Sequence, residues 1–168
     1  MTIVDEALIF ACGYHASVGQ TRKYTGEPYI VHPIEVMMLV REHGGTEAMQ
    51  AAALLHDVIE DTPATEGNVR EAFGDEVADM VLALSDLEEG NRATRKRLSL
   101  ERLAASDGDV QTIKLADLIS NTRTIVERDP DFAKVYLREK AALLEALTKG
   151  SRTLRSMAWD MVPESYRV

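Results

Sequence analysis

The stretch Ala53-Leu54-Leu55-His56-Asp57-Val58-Ile59-Glu60-Asp61 decides the reading of the chain. It opens as an apolar run and closes on an imidazole and three carboxylates. Thr62-Pro63 follows, and a residue before proline is pushed out of helical geometry. The pattern predicts one helix over 47–60, with Thr46 as N-cap and Glu47 in the favourable first turn. Its acids then fall at the negative end of the helix dipole, where each is disfavoured by about 0.3–1 kcal/mol. Charges at the end of a core-like run need pairing or a metal, so a bound cation would repair the fault.

Working outward, the chain reads as nearly all helix. Apolar groups at Val4, Leu8, Ala11 and Cys12 predict a helix over 3–17. Two glycines and a proline make 17–29 a loop. His32-Pro33 opens the next helix, and Gly44-Gly45 stops it. Thr65 caps a short helix that Gly74 ends, and an amphipathic segment runs from Glu76 to about Leu87. The charged stretch 88–99 gives no clear pattern, and 100–106 looks helical. Asp107-Gly108-Asp109 makes a turn, then helices are expected over 110–128, 132–147 and 151–161. Alternating β patterns, repeats and linkers are absent from the sequence. The expectation is a single all-α domain over 1–168.

At 168 residues and 45% hydrophobic content the chain can bury a proper core. No apolar run approaches the roughly 18 residues that would span a membrane. The N-terminus lacks the basic and apolar regions of a secretory signal. The single cysteine, Cys12, fits a reducing compartment, and its apolar neighbours predict a buried structural thiol. A cytoplasmic location is therefore expected. A net charge of −9 argues against DNA or RNA as partner. A few local Arg and Lys can still hold a small phosphorylated ligand.

Four candidate metal ligands come from three places: His32 at a helix start, His56 and Asp57 at a helix end, and Asp117 inside a helix. Neutral imidazole with carboxylate suits manganese, iron or zinc. Each residue also has an ordinary reading. His32 could sit at a helix N-terminus, His56 could be a core histidine bonded to a carbonyl, and Asp57 could pair with a lysine. The stripe Lys114, Asp117, Asn121, Thr124, Arg128 could be a solvated face. Periodicity alone does not separate these readings.

The wider motifs resemble one family. These are Gln20-Thr21-Arg22-Lys23, Gly26-Glu27-Pro28-Tyr29-Ile30-Val31-His32-Pro33, Ala52 through Thr62, Phe73-Gly74 and Lys114-Leu115-Ala116-Asp117. In this order they are similar to the hydrolase domain of the RelA/SpoT homologues, within the HD superfamily of metal-dependent phosphohydrolases. The likeness covers about residues 5–147. The chain has no room for the synthetase and regulatory domains of the long members. It thus resembles the stand-alone small alarmone hydrolases, bacterial or of the metazoan SpoT-homologue type.

The resemblance implies a helical bundle of about eight to ten helices. It implies His32, His56, Asp57 and Asp117 as ligands of one manganese ion, and Glu60 and Asp61 as the catalytic acid pair. Arg22 and Lys23 match residues that embrace the nucleotide, Asn121 a nucleoside contact, and Thr124 a pocket wall. Lys140 falls where the family often places Tyr or Thr near the ligand's sugar. The implied reaction removes the 3′-pyrophosphate of guanosine tetra- or pentaphosphate, (p)ppGpp. Adenosine alarmones or the 2′-phosphate of NADPH are alternative substrates, and a nucleotide-sensing module without catalysis is a further alternative. The implied partner is a small nucleotide, with no membrane and with room for a homo-oligomer.

The spacing fits those roles. Asp57 to Asp61 and His56 to Glu60 are i,i+4 pairs, so each acid lies one turn beyond a ligand. Besides Lys140, two features depart from the family. Ser17 stands where a histidine is usual, and the nearby His15 is expected to be structural. Leu118 stands where Lys or Arg commonly follows the aspartate. Arg95-Lys96-Arg97 could reach a pyrophosphate or could form a solvated helix.

Overall fold

The computed structural model describes residues 1–167. Among these are nine α-helices, a 3-10 turn at Glu164–Tyr166 and one isolated antiparallel bridge, Thr21 to Pro28. The all-α expectation is met. The chain divides into two compact units that meet in sequence at Leu87 and Glu88.

The first unit is built on α1 (Ile3–Ser17), α2 (Val31–Glu42), α3 (Glu47–Leu55), α4 (Val58–Asp61) and α5 (Glu66–Leu84). Helix α3 is its centre and packs on α1, α2 and α5. Ala51, Ala52, Ala53, Leu54 and Leu55 are fully buried, so small residues let neighbours approach on every side while two leucines fill the gaps. Truncating either leucine to alanine should cost about 2–5 kcal/mol. Thr46 caps α3, its hydroxyl accepting from the Met49 N–H at 3.2 Å.

The helix predicted over 47–60 is two helices. α3 stops at Leu55, a turn carries His56 and Asp57, and α4 begins at Val58. Asp57 has φ −101° and ψ −3° and acts as the α4 N-cap residue. The expected dipole fault therefore disappears. Glu60 and Asp61 lie in the first turn of a four-residue helix, which has no long macrodipole to oppose them. Helix α5 bends at Gly74, whose φ of 81° and ψ of 176° are open to glycine alone. Arg70 fastens the bend by pairing with Glu66, Asp75 and Asp79, each at 2.7 Å. Cys12 is half-buried on α1, not the buried thiol expected.

The second unit comprises α6 (Arg92–Ala105), α7 (Gly108–Arg128), α8 (Pro130–Ala146) and α9 (Arg152–Asp160). Helix α7 packs on α6, α8 and α9. Buried Gln111 donates to Leu103 O at 3.0 Å and accepts from the Lys149 N–H at 2.8 Å, which satisfies its amide. Gly150 lets the α8–α9 connection cross α7, since a Cβ there would lie 2.9 Å from Leu115 Cδ1. Charged α6 begins earlier than expected because Asn91 caps it, accepting from the Thr94 N–H at 2.9 Å.

Candidate metal centre and acid pair

Three donors converge in the first unit. His32 lies in the first turn of α2, and His56 and Asp57 fill the turn between α3 and α4. One ligand atom from each falls within 4.8 Å of the others. His32 Nε2 is 3.8 Å and His56 Nε2 3.0 Å from Asp57 Oδ2. Both histidines are buried. His56 Nδ1 lies 2.8 Å from Ala53 O. A carbonyl only accepts, so Nδ1 carries the proton and the Nε2 lone pair turns toward the carboxylate. Two acceptors 3.0 Å apart repel each other. A second proton on the ring or a cation between them resolves this, and two imidazoles with one carboxylate suit a divalent transition metal.

The surroundings orient these donors as a metal site requires. Tyr29 Oη donates to Asp57 Oδ2 at 2.5 Å. Its ring lies 4.8 Å from that of His15 and 5.9 Å from that of His32, and the rings of His32 and His56 are 5.2 Å apart. Tyr29 reaches this position from a loop closed on itself. The Arg22 N–H donates to Glu27 O at 2.8 Å, and the Tyr29 N–H to Gln20 O at 3.1 Å. The Arg22 guanidinium sits 5.9 Å from the Tyr29 ring centroid, and the Lys23 ammonium 5.0 Å from that of Tyr24. The two cations of the loop thus lean on separate aromatic faces.

Glu60 and Asp61 follow on α4, held by different donors. The Asp86 N–H donates to Glu60 Oε2 at 3.0 Å, and Gln20 Nε2 to Asp61 Oδ2 at 2.9 Å. Both residues reach the surface. Even so, protein crowds Glu60 enough to strip much of its hydration. That desolvation, with repulsion from Asp57, Asp86 and Asp61, outweighs the Asp86 bond and pushes Glu60 up to about 7. Asp61 is also raised by desolvation, while the Gln20 amide and the nearby His15 pull it down. Tyr29, Gln20, His15 and the Asp86 backbone were not among the predicted site groups. Gln20 and Tyr29 lie inside a quoted motif, whereas a backbone N–H leaves no mark in a sequence.

Asp117 belongs to the second unit and is 5% exposed on α7. Lys114 Nζ donates to Oδ2 at 2.8 Å and Asn121 Nδ2 to Oδ1 at 2.7 Å. The stripe is no solvated face, since Lys114, Asn121 and Thr124 are half-buried and only Arg128 is exposed. Lys140 on α8 is 1% exposed. Its Nζ donates to Thr122 Oγ1 at 2.9 Å, and burial pushes the ammonium down to about 8. Arg95, Lys96 and Arg97 are exposed on α6, with Arg97 paired to Glu101 at 2.8 Å.

An all-helical chain with a His-Asp turn, a second histidine and a following acid pair defines a class of metal-binding helical domain. The HD domain profile matches residues 7–147, and the chain belongs to the HD domain family. A probable guanosine-3′,5′-bis(diphosphate) 3′-pyrophosphohydrolase of Synechocystis is 33% identical over 98% of this chain and 23% of its own length. The guanosine-3′,5′-bis(diphosphate) 3′-pyrophosphohydrolase of Haemophilus influenzae is 42% identical over 74% of this chain and 19% of its own. The chain thus spans about a fifth of the length of these relatives. A solved structure of a metazoan SpoT orthologue, described as hydrolysing ppGpp, superposes with a TM-score of 0.87. It is 28% identical, with 96% of this chain and 94% of that chain covered.

Proposed function

We propose that this chain is a manganese-dependent phosphohydrolase that removes the 3′-pyrophosphate of (p)ppGpp, leaving GDP or GTP. The observation that carries this reading is the convergence of His32, His56 and Asp57 with an acid pair one turn beyond. The names of the relatives supply the substrate class. In this reading His32, His56 and Asp57 hold the ion, with Asp117 as fourth ligand. The bound ion would lower the pKa of a water and screen phosphate charge.

The chain's own residues supply the proton handling and the binding. A water oxygen bonds to the phosphorus on the 3′ oxygen, the bond between them breaks, and pyrophosphate departs. The water gives up a proton and the 3′ oxygen takes one. Glu60, pushed up to about 7, suits donation to the leaving oxygen. Asp61 accepts a fixed amide donor on one oxygen and suits accepting the water's proton. Arg22 offers a planar face to the base, and Lys23 a mobile charge to phosphate. Asn121 and Thr124 line the nucleoside side, and Lys140 contributes a buried cation.

The deciding experiment is a panel of ppGpp, pppGpp, the adenosine alarmones and NADPH with manganese, compared by kcat/KM. Guanosine alarmones should lead it. Intact nucleotides after prolonged incubation would defeat the reading. Asp117→Ala should lose the metal, and unchanged stoichiometry would remove Asp117 from the ligand set.

A further inference from the structure

His15 is buried to 2% exposure in the last turn of α1. Its Nδ1 lies 2.6 Å from Gln20 Oε1, and the other face of that amide donates to Asp61 Oδ2 at 2.9 Å. Among the described residues no hydrogen-bond partner reaches its Nε2. A residue that only fills space at this position gains nothing from a buried, unpartnered nitrogen, and an apolar side chain would serve it better. The ring's value to the protein therefore lies at Nδ1.

The chain of donors has one direction. An ionised Asp61 only accepts, so Gln20 must turn its NH2 group toward it. Oε1 then faces His15, and Nδ1 must carry a proton to donate to it. Gln20 is itself pinned at the backbone. Its N–H donates to His15 O at 3.1 Å, and its C=O accepts from the Tyr29 N–H at 3.1 Å. Among the described residues Gln20 makes the one hydrogen bond to the Asp61 side chain. That leaves Oδ1 as the oxygen able to meet a reactant.

We infer that His15 is a positioning residue that, through Gln20, fixes the Asp61 carboxylate with Oδ2 engaged and Oδ1 presented. This extends the proposed function, because it rests on Asp61 as a member of the acid pair.

Two measurements separate the relay from the reaction. A long-range 1H–15N spectrum, recorded without metal or nucleotide, should show His15 as the Nδ1–H tautomer and should change in Gln20→Met. A dominant Nε2–H tautomer overturns the relay whatever the chain hydrolyses. In turnover with manganese and ppGpp, Gln20→Met and His15→Phe should each lower kcat by about 10- to 100-fold. KM and the manganese Kd should stay within about twofold, since neither variant removes a ligand-holding group. His15→Asn, whose amide NH2 overlies Nδ1–H, should recover most of kcat. The double variant should be no worse than the weaker single, because the residues act as one unit. Additive losses, failure of His15→Asn to rescue, or losses confined to KM or manganese binding overturn the inference. If wild-type protein leaves the nucleotide intact, the proposed reaction falls and the tautomer alone decides the relay.

Discussion

Glu60 and Asp61 stand side by side on α4 in unlike settings. One carboxylate is lifted by desolvation and neighbouring acids, and the other is tethered by an amide. Glu60→Gln and Asp61→Asn should each lower kcat by about 100-fold or more. Metal content measured by elemental analysis should stay near that of the wild type. Retained turnover in either variant would remove that residue from the proton handling. Lys140 poses a different problem. Its ammonium is buried against Thr122, and among the described residues no carboxylate is bonded to it. Its folded value, about 8, lies below the ordinary 10.5, so the fold disfavours the charged form. That deficit is present in full below pH 8 and disappears as pH climbs toward 10.5. Lys140→Met should raise stability at pH 7 by roughly 1–3 kcal/mol in denaturant titrations. It should also raise KM for an anionic nucleotide. A stability loss with unchanged KM would make Lys140 a structural residue. Its burial was legible in part, since Ala133, Leu137, Lys140 and Leu144 share one stripe of α8.

Elements rather than residues account for what the sequence hid. The cap at Thr46, the stop at Gly44-Gly45, the interruption at Gly74 and the break at Asp129-Pro130 were all readable, because each acts through its own backbone. The break at His56-Asp57 was not. No Gly or Pro marks it. Tyr29, from a distant loop, holds Asp57, while Ala53 O, three residues back, holds His56. The loop 18–30 was readable as a loop, but its function as a bracket was not. Closed by its own backbone bonds, it delivers Gln20 to Asp61 and Tyr29 to the candidate metal centre. Tyr29→Phe tests the second delivery. It keeps the ring stack and removes the hydroxyl from Asp57, so manganese Kd should rise about 10- to 100-fold. Calorimetric titration with manganese measures it directly. An unchanged Kd would mean that the turn alone holds Asp57 in place.

Across the molecule, each unit is organised on one buried helix, α3 in the first and α7 in the second. A helix was expected at each place, although the first ends at Leu55 and not near Glu60, whereas grouping the helices into units needs contacts distant in sequence. Charge acts at this scale as well. The chain carries a net −9, and the first unit concentrates Asp57, Glu60, Asp61 and Asp86 around one turn. Among them Glu60 opposes folding once it ionises. Its value is 4.5 in the unfolded chain and about 7 in the fold. Below pH 4.5 both states are protonated and Glu60 exacts no penalty. As pH rises from 4.5 to 7 the unfolded chain ionises first, so folding stability falls, and above 7 the loss is complete. Surface exposure of the side chain screens the effect, which should amount to about 1 kcal/mol. Thermal melts of chelator-treated protein should therefore show Tm falling across this window, and Glu60→Gln should flatten the slope. Manganese at about 100 times its Kd should add roughly 2.7 kcal/mol at pH 7.5. A Glu60→Gln melt series with the wild-type slope would show that the cost of apo folding comes from acids other than Glu60.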